Sequence, residues 1–215
     1  MFSITNWIER KLGLKVNATK TKITRPSKLK YLGFSFYKTK DKWRARPHQD
    51  SIAKFKRNLK RLCRRNWSID MTTRIMKINQ LTRGWINYFA VADMKYQMRL
   101  IDGHLRRMMR IVIWKQWKGW SKRVWGLKKL GLSEWRACEA AMMGDRYMLV
   151  SRMPQLTGTI SKQILTRRGL VSIEDYYLQR HVLKLSWTAV CRTACTVVGE
   201  GLLVSPYSIT ICYKL

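Results

Sequence analysis

From Ile52 to Val112 the apolar residues of this chain recur at steps of three and four, and that period leaves little choice of fold. Ile52, Phe55, Leu59 and Leu62 make one stripe, and Met71, Ile75, Ile78, Leu81, Trp85 and Tyr88 make a second. Met94, Met98, Ile101, Leu105, Met108 and Val112 make a third. Three consecutive amphipathic helices with short connections are the sequence form of a helical bundle. Ser51, Asp70 and Asp93 stand where the N-caps of these helices belong. Gly84 sits inside the second stripe, where glycine costs about 1 kcal/mol relative to alanine, and it predicts a close helix crossing.

The flanks are more varied. Residues 3–12 read as a short amphipathic helix with Ile4, Trp7, Ile8 and Leu12 on one face, stopped by Gly13. Residues 14–23 are strand-like, and residues 31–37 alternate as a good strand. Trp43-Arg44-Ala45-Arg46 is the returning strand of a hairpin ended by Pro47. Without further sheet partners the aromatic strand would present Tyr31, Phe34 and Phe36 as a sticky edge. Residues 119–131 read as a basic, glycine-punctuated connection, and Ser133 then starts a helix through Met143. A short helix around residues 155–165 stops near Gly169, and Ser172-Ile173-Glu174-Asp175 is a capping box before a last helix. The expected fold class is mainly α: a short β-hairpin, a three-helix bundle and smaller C-terminal helices.

Charge narrows the function. Lysine plus arginine number 44 against 12 acidic residues, a formal net charge of +32. Such a chain repels itself, and a polyanion is the natural compensation. A membrane surface is one polyanion, but here the charge runs through the whole helical region instead of one amphipathic helix or a juxtamembrane cluster. No apolar run approaches the roughly 18 residues needed to span a bilayer, and no secretory signal pattern opens the sequence. The partner expected is therefore nucleic acid and not a membrane. Lys54, Lys56, Arg57, Lys60, Arg61, Arg64 and Arg65 carry no acid among them. Ordinary solvated helices mix signs, because opposite pairs four residues apart help and like pairs cost. An all-cationic face makes sense where phosphates relieve it. These seven are the first candidates for RNA contact, followed by Arg74, Arg83, Arg106, Arg107, Arg110, Lys115 and Lys118. Among the aromatics, Trp85 and Tyr88 continue an apolar stripe and belong to the core, while Trp117 and Trp120 suit either packing or base stacking.

A self-contained active site is not legible. A two-metal centre needs converging carboxylates, and only Glu174 and Asp175 are adjacent, in a first-turn cap. His48, His104 and His181 have no metal-ligand spacing, and His104 reads as solvated or RNA-facing. Cys63, Cys138, Cys191, Cys195 and Cys212 are odd in number and scattered, which fits reduced thiols better than a disulfide framework or a zinc site. No catalytic residue, metal or cofactor is expected.

Several segments, in order, resemble one family. They are Gly13-Leu14-Lys15-Val16-Asn17 with Thr19-Lys20-Thr21-Lys22; Tyr31-Leu32-Gly33-Phe34-Ser35-Phe36; and Arg46-Pro47-His48 with Ser51-Ile52. Arg83-Gly84-Trp85-Ile86-Asn87-Tyr88-Phe89, Trp114-Lys115-Gln116-Trp117-Lys118, Leu130-Gly131-Leu132 and the stretch 137–147 follow. Together they resemble the C-terminal half of bacterial group II intron-encoded proteins, the reverse transcriptase/maturases, over residues 3–180. The resemblance implies that residues 1–47 are a remnant of the polymerase palm and 48–120 the maturase-specific domain, also called the thumb or domain X, with three roughly parallel helices. Residues 121–181 would continue that region, and 182–215 form an atypical tail that matches no part of the family and reads as a stretch in a non-native frame. It further implies a bacterial cytoplasmic protein that binds group II intron RNA and assists its folding and splicing, with a DNA target or primer–template duplex as a further ligand. The family's Tyr-Ala-Asp-Asp loop and its Mg2+ find no counterpart in this sequence, so the chain is expected to be a fragment inactive in polymerisation alone. The alternative is one part of an RNA-directed DNA polymerase, active only with separate fingers and palm docked through residues 1–45.

Overall fold

Residues 2–17, 24–40 and 42–182 are described by a computed structural model. Helix α1 (Phe2–Leu12) precedes a two-stranded antiparallel hairpin, β1 (Phe34–Thr39) and β2 (Lys42–Pro47), in which Phe34 faces Pro47. Three long helices follow: α2 (Gln49–Leu62), α3 (Met71–Phe89) and α4 (Lys95–Gln116). Then come α5 (Trp120–Lys129), α6 (Glu134–Met142), α7 (Tyr147–Val150), α8 (Pro154–Thr159), α9 (Lys162–Arg167) and α10 (residues 173–182). The described residues are thus mainly helical with one small hairpin, the class the periodicity of the sequence predicts.

The first strand begins at Phe34, three residues later than the alternation suggests, because Leu32 and Gly33 turn the chain with φ of 47° and 80°. Gly33 is required there: a Cβ would lie 2.9 Å from Ser51 Oγ and 3.3 Å from the Phe89 ring, at a φ that side chains rarely adopt. The Gly33 carbonyl accepts from His48 N at 2.7 Å and from Ser51 Oγ at 3.1 Å. Ser51 is therefore committed to the turn and is not the N-cap. The cap of α2 is His48, whose Nδ1 accepts from Asp50 N at 3.2 Å. Residues 14–17 are irregular instead of strand-like, and the rest of that expected strand lies outside the described residues.

The bundle core is contiguous. From α2 come Ile52, Phe55 and Leu59; from α3, Ile75, Ile78, Ile86 and Phe89; from α4, Met98, Ile101, Leu105 and Met109. Asp70 caps α3 as its position predicts, accepting from Thr72 N at 2.8 Å and Thr73 N at 3.3 Å. The buried face of α3 is rotated slightly from the predicted stripe. Trp85 is half-buried and stacks on Phe55, with ring centres 4.5 Å apart. Tyr88 is 53% exposed and seats the hairpin: its hydroxyl donates to Leu32 O at 2.9 Å and its ring stacks on Phe34. Phe34 is thereby covered by Tyr88 and Phe89, so the expected sticky edge keeps only Tyr31 exposed and Phe36 half-buried. Gly84 meets no crossing helix, since a Cβ there would find nothing within 4 Å. Asp93 does not cap α4, whose N-cap is Met94 without a side-chain bond. It ties the α3–α4 elbow to the hairpin instead: its carboxylate accepts from the Tyr37 hydroxyl at 2.8 Å and from Arg44 at 3.2 Å, and its N–H donates to Ala45 O.

The stretch expected as a connection after residue 119 is helix α5. Its Gly126 lies against Trp117, where a Cβ would fall 2.8 Å from the ring. The helix predicted around residues 155–165 is two helices, α8 and α9, parted at Ile160 and Ser161. Gly169, at φ 92°, ends the second. Of the expected capping box at the start of α10, one half is present: Asp175 N donates to Ser172 Oγ at 3.4 Å, while the Asp175 carboxylate pairs with Lys162. α10 returns to the elbow: Tyr177 Oη donates to Ala92 O at 2.9 Å and accepts from Met94 N at 3.3 Å. Asn79 clamps the approach, donating to Gly169 O and accepting from Val171 N. The atypical tail lies outside the described residues from position 183 onward, as do Cys191, Cys195 and Cys212.

Candidate nucleic-acid interface

Burial of Ile52, Phe55 and Leu59 fixes where the rest of α2 points, because a helix repeats every 3.6 residues. Lys54, Lys56, Arg57, Lys60 and Arg61 are all exposed, and so are Arg64 and Arg65 just beyond the helix. The one acid of α2, Asp50, lies in its first turn and pairs with Lys30 at 2.5 Å, which with the neighbouring His48 holds its carboxyl below the ordinary range. Nothing acidic within the helix neutralises the cationic run.

α4 contributes to the same surface. Its buried line of Ile101, Leu105 and Met109 leaves His104 exposed and Arg106 and Arg107 half-buried. The His104 imidazole is held below its ordinary value by partial burial, then by the positive charges of Arg107, Lys56 and Lys60. Lys56 and Lys60 of α2 thus lie within electrostatic range of His104 on α4, as does Arg107. Cations with no acid between them repel, and a phosphate placed among them would relieve the repulsion.

The other candidates divide. Arg65 lies over the Tyr147 ring at 4.4 Å, with Lys115 Nζ 5.9 Å from the same ring, so both frame the start of α7. Arg83 and Lys118 are exposed, on α3 and just after α4. Arg106 is within 3.2 Å of Asp102, which occupies part of its charge. Two expectations are corrected. Arg74 is 1% exposed and donates to Leu62 O, Arg64 O and Trp67 O; its charge is spent on carbonyls inside the fold. Arg110 is also buried, its Nε donating to Ile160 O at 3.1 Å, and burial, with Arg106 and Arg107 nearby, lowers its pKa. Both fall on the inward side of their helices, where a count of cations along the sequence cannot separate them from their outward neighbours.

Some residues have little signal in the sequence. Asn66, Trp67 and Lys77 line one hollow with Arg61 and Arg64. Lys77 is distant along the chain, and only the short turn after α2 brings α3 alongside. Of the two tryptophans left open between packing and stacking, Trp117 is half-buried against Gly126, while Trp120 is 51% exposed.

Most described carboxylates have structural partners. Asp102 accepts from Ile173 N at 2.9 Å, Asp145 pairs with Arg123, Glu134 with Lys128 and Asp175 with Lys162. Among the described residues, no three His, Cys, Asp or Glu side chains come together as a metal site, and no helix is long and apolar enough to cross a membrane.

Residues 52–131 match the family model of the group II intron, maturase-specific domain. The matched stretch runs from the first turn of α2 to the end of α5, so it contains the cationic face and the three bundle helices. It agrees with the resemblance drawn from the sequence. No curated protein matches the chain.

Proposed function

We propose, from the maturase-specific match of residues 52–131, that this chain binds group II intron RNA through the α2–α4 face and assists the intron's folding for splicing. The observation that carries the reading is the group made by exposed Lys56 and Lys60 of α2 with exposed His104 and half-buried Arg107 of α4, extended around α2 by exposed Arg57 and Lys54. Its cations lack acidic partners, in a protein whose other cations include several tied to carboxylates. Phosphates bound there release condensed counterions, which supplies affinity and makes it steeply dependent on salt. A folded intron displays phosphates from several helices at once. A rigid charged face can hold two such helices together, which favours the folded state by binding it more tightly.

The experiment compares a group II intron RNA with an unrelated structured RNA of equal length, across a salt series. The intron should bind more tightly, and log Kd should rise linearly with log salt. A variant with Lys54, Lys56, Arg57 and Lys60 all changed to glutamine should flatten that slope by roughly 0.7–0.9 for each phosphate it no longer neutralises, with helix content unchanged. Equal affinity for both RNAs would leave only general polyanion binding. An unchanged slope would move the binding surface to another face.

A further inference from the structure

The turn between α2 and α3 is assembled around a buried arginine. Arg74 Nη1 donates to Leu62 O at 2.5 Å and Arg64 O at 3.0 Å, and its Nη2 donates to Trp67 O at 2.6 Å. Asp and Glu side chains make no ion pair with it among the described residues. One guanidinium therefore fixes three carbonyls between residues 62 and 67, and those carbonyls take up its charge beneath the turn.

The outer side of the turn is a hollow lined by Arg61, Leu62, Arg64, Asn66, Trp67 and Lys77. Three cations, an amide and a half-buried indole meet there without any acid. Lys77 Nζ stands 5.1 Å from the Trp67 ring centre, and the Arg74 guanidinium 5.5 Å. This differs from the α2–α4 face. That face spreads its charges along helices, whereas the hollow gathers them around one concavity. Paired phosphates of a straight duplex follow a regular ladder on a convex surface and stay outside a concavity. An unpaired nucleotide can leave the ladder and enter. Aromatic rings and amides are what RNA-binding proteins offer to splayed bases.

We propose that this hollow receives one unpaired nucleotide of a bound RNA, at a bulge or sharp turn. Its phosphate lies among Arg61, Arg64 and Lys77, and its base lies against Trp67 and the Asn66 amide. Arg74 is a positioning residue that holds the turn in the receptive shape. The proposal rests on the RNA-binding reading above and adds which feature of the RNA is recognised, and where.

Two RNA hairpins with the same stem test it, one carrying a single bulged nucleotide, each titrated against the full chain by fluorescence anisotropy. The protein should prefer the bulged hairpin by about tenfold, the scale of one aromatic–base contact. Arg64→Gln with Lys77→Gln should abolish that preference and leave the plain stem within about threefold of its original Kd. Lys54→Gln with Arg57→Gln should weaken both hairpins alike and preserve the preference. Arg74→Lys keeps the charge but loses the planar fork, and it should lower the preference without weakening the plain stem. Should Arg74→Lys fail to fold, the exposed Arg64/Lys77 pair decides alone. Equal binding of the two hairpins by the unaltered protein, or equal weakening of both by the Arg64/Lys77 variant, overturns the proposal and leaves general RNA binding standing. Absence of binding to either hairpin at low salt would instead defeat the broader RNA reading.

Discussion

Single residues decide how the surplus charge is divided between architecture and ligand. Asp102 is 2% exposed and accepts from Ile173 N, so it fixes the start of α10. Burial, opposed by that hydrogen bond and by Arg106, raises its pKa above the ordinary value of 3.8. A raised folded value means that the native state prefers the proton. That contribution is complete below the unfolded pKa and is lost as pH rises through the folded one. Asp102→Asn keeps the acceptor without the charge. Its urea midpoint should match the unaltered protein in acid and exceed it toward neutral pH, whereas Asp102→Ala should run about 1–2 kcal/mol below Asp102→Asn at every pH. Superimposable pH profiles for the parent and Asp102→Asn would contradict this. His104 offers the opposite test. Burial and its cationic neighbours hold it below 6.5, and a phosphate among them would raise it again. RNA affinity should therefore increase as pH falls from about 7.5 to 5.5, and His104→Gln should remove most of that increase. At this scale legibility is uneven. All seven cations of residues 54–65 are exposed, because helical period and charge agree there. Arg74 and Arg110 defeat the same reasoning, because an arginine that bonds backbone carbonyls and one that faces solvent have the same letter and the same spacing.

At the scale of elements, glycine separates what period can reveal from what tertiary packing alone reveals. Gly84 in α3 is open to solvent with nothing near its missing Cβ. Gly84→Ala should stabilise the protein by roughly 0.5–1 kcal/mol in denaturant unfolding, since alanine restricts the unfolded chain and favours helix. Gly126 in α5 is buried against the Trp117 indole, and Gly126→Ala should destabilise by about 1–3 kcal/mol, because ring and helix must separate. If the two substitutions shift stability in the same direction, the packing of α5 described above is wrong. The same contrast governs which elements are legible. α2, α3 and α4 have long apolar stripes and can be read directly. α5 reads as a connection because its lysines and its glycine mask Val124 and Leu127, whose burial follows from tertiary packing in which α5 lies against α6. The caps show the same limit. Asp70 acts locally and is recognisable, whereas Ser51 and Asp93 serve the hairpin, and nothing local marks a residue for a distant partner.

For the molecule as a whole, a formal charge of +32 is a standing load on the folded state. Compact packing brings like charges together, and screening or binding relieves them. The melting temperature should rise between about 50 and 300 mM salt, and structured RNA should raise it further at low salt by mass action. A melting temperature indifferent to both would mean that the cations are already balanced in the free protein. One arrangement has a mechanical corollary. The hairpin grips the α3–α4 elbow through Asp93 and Tyr88, while α10 grips it through Tyr177 and the contact of His181 with Ala90 O. The hairpin before the bundle and the helix after it are thus moored at one post. A pull transmitted along either arm would be absorbed at that post, leaving the packing of α2 on α3 and α4 unstrained.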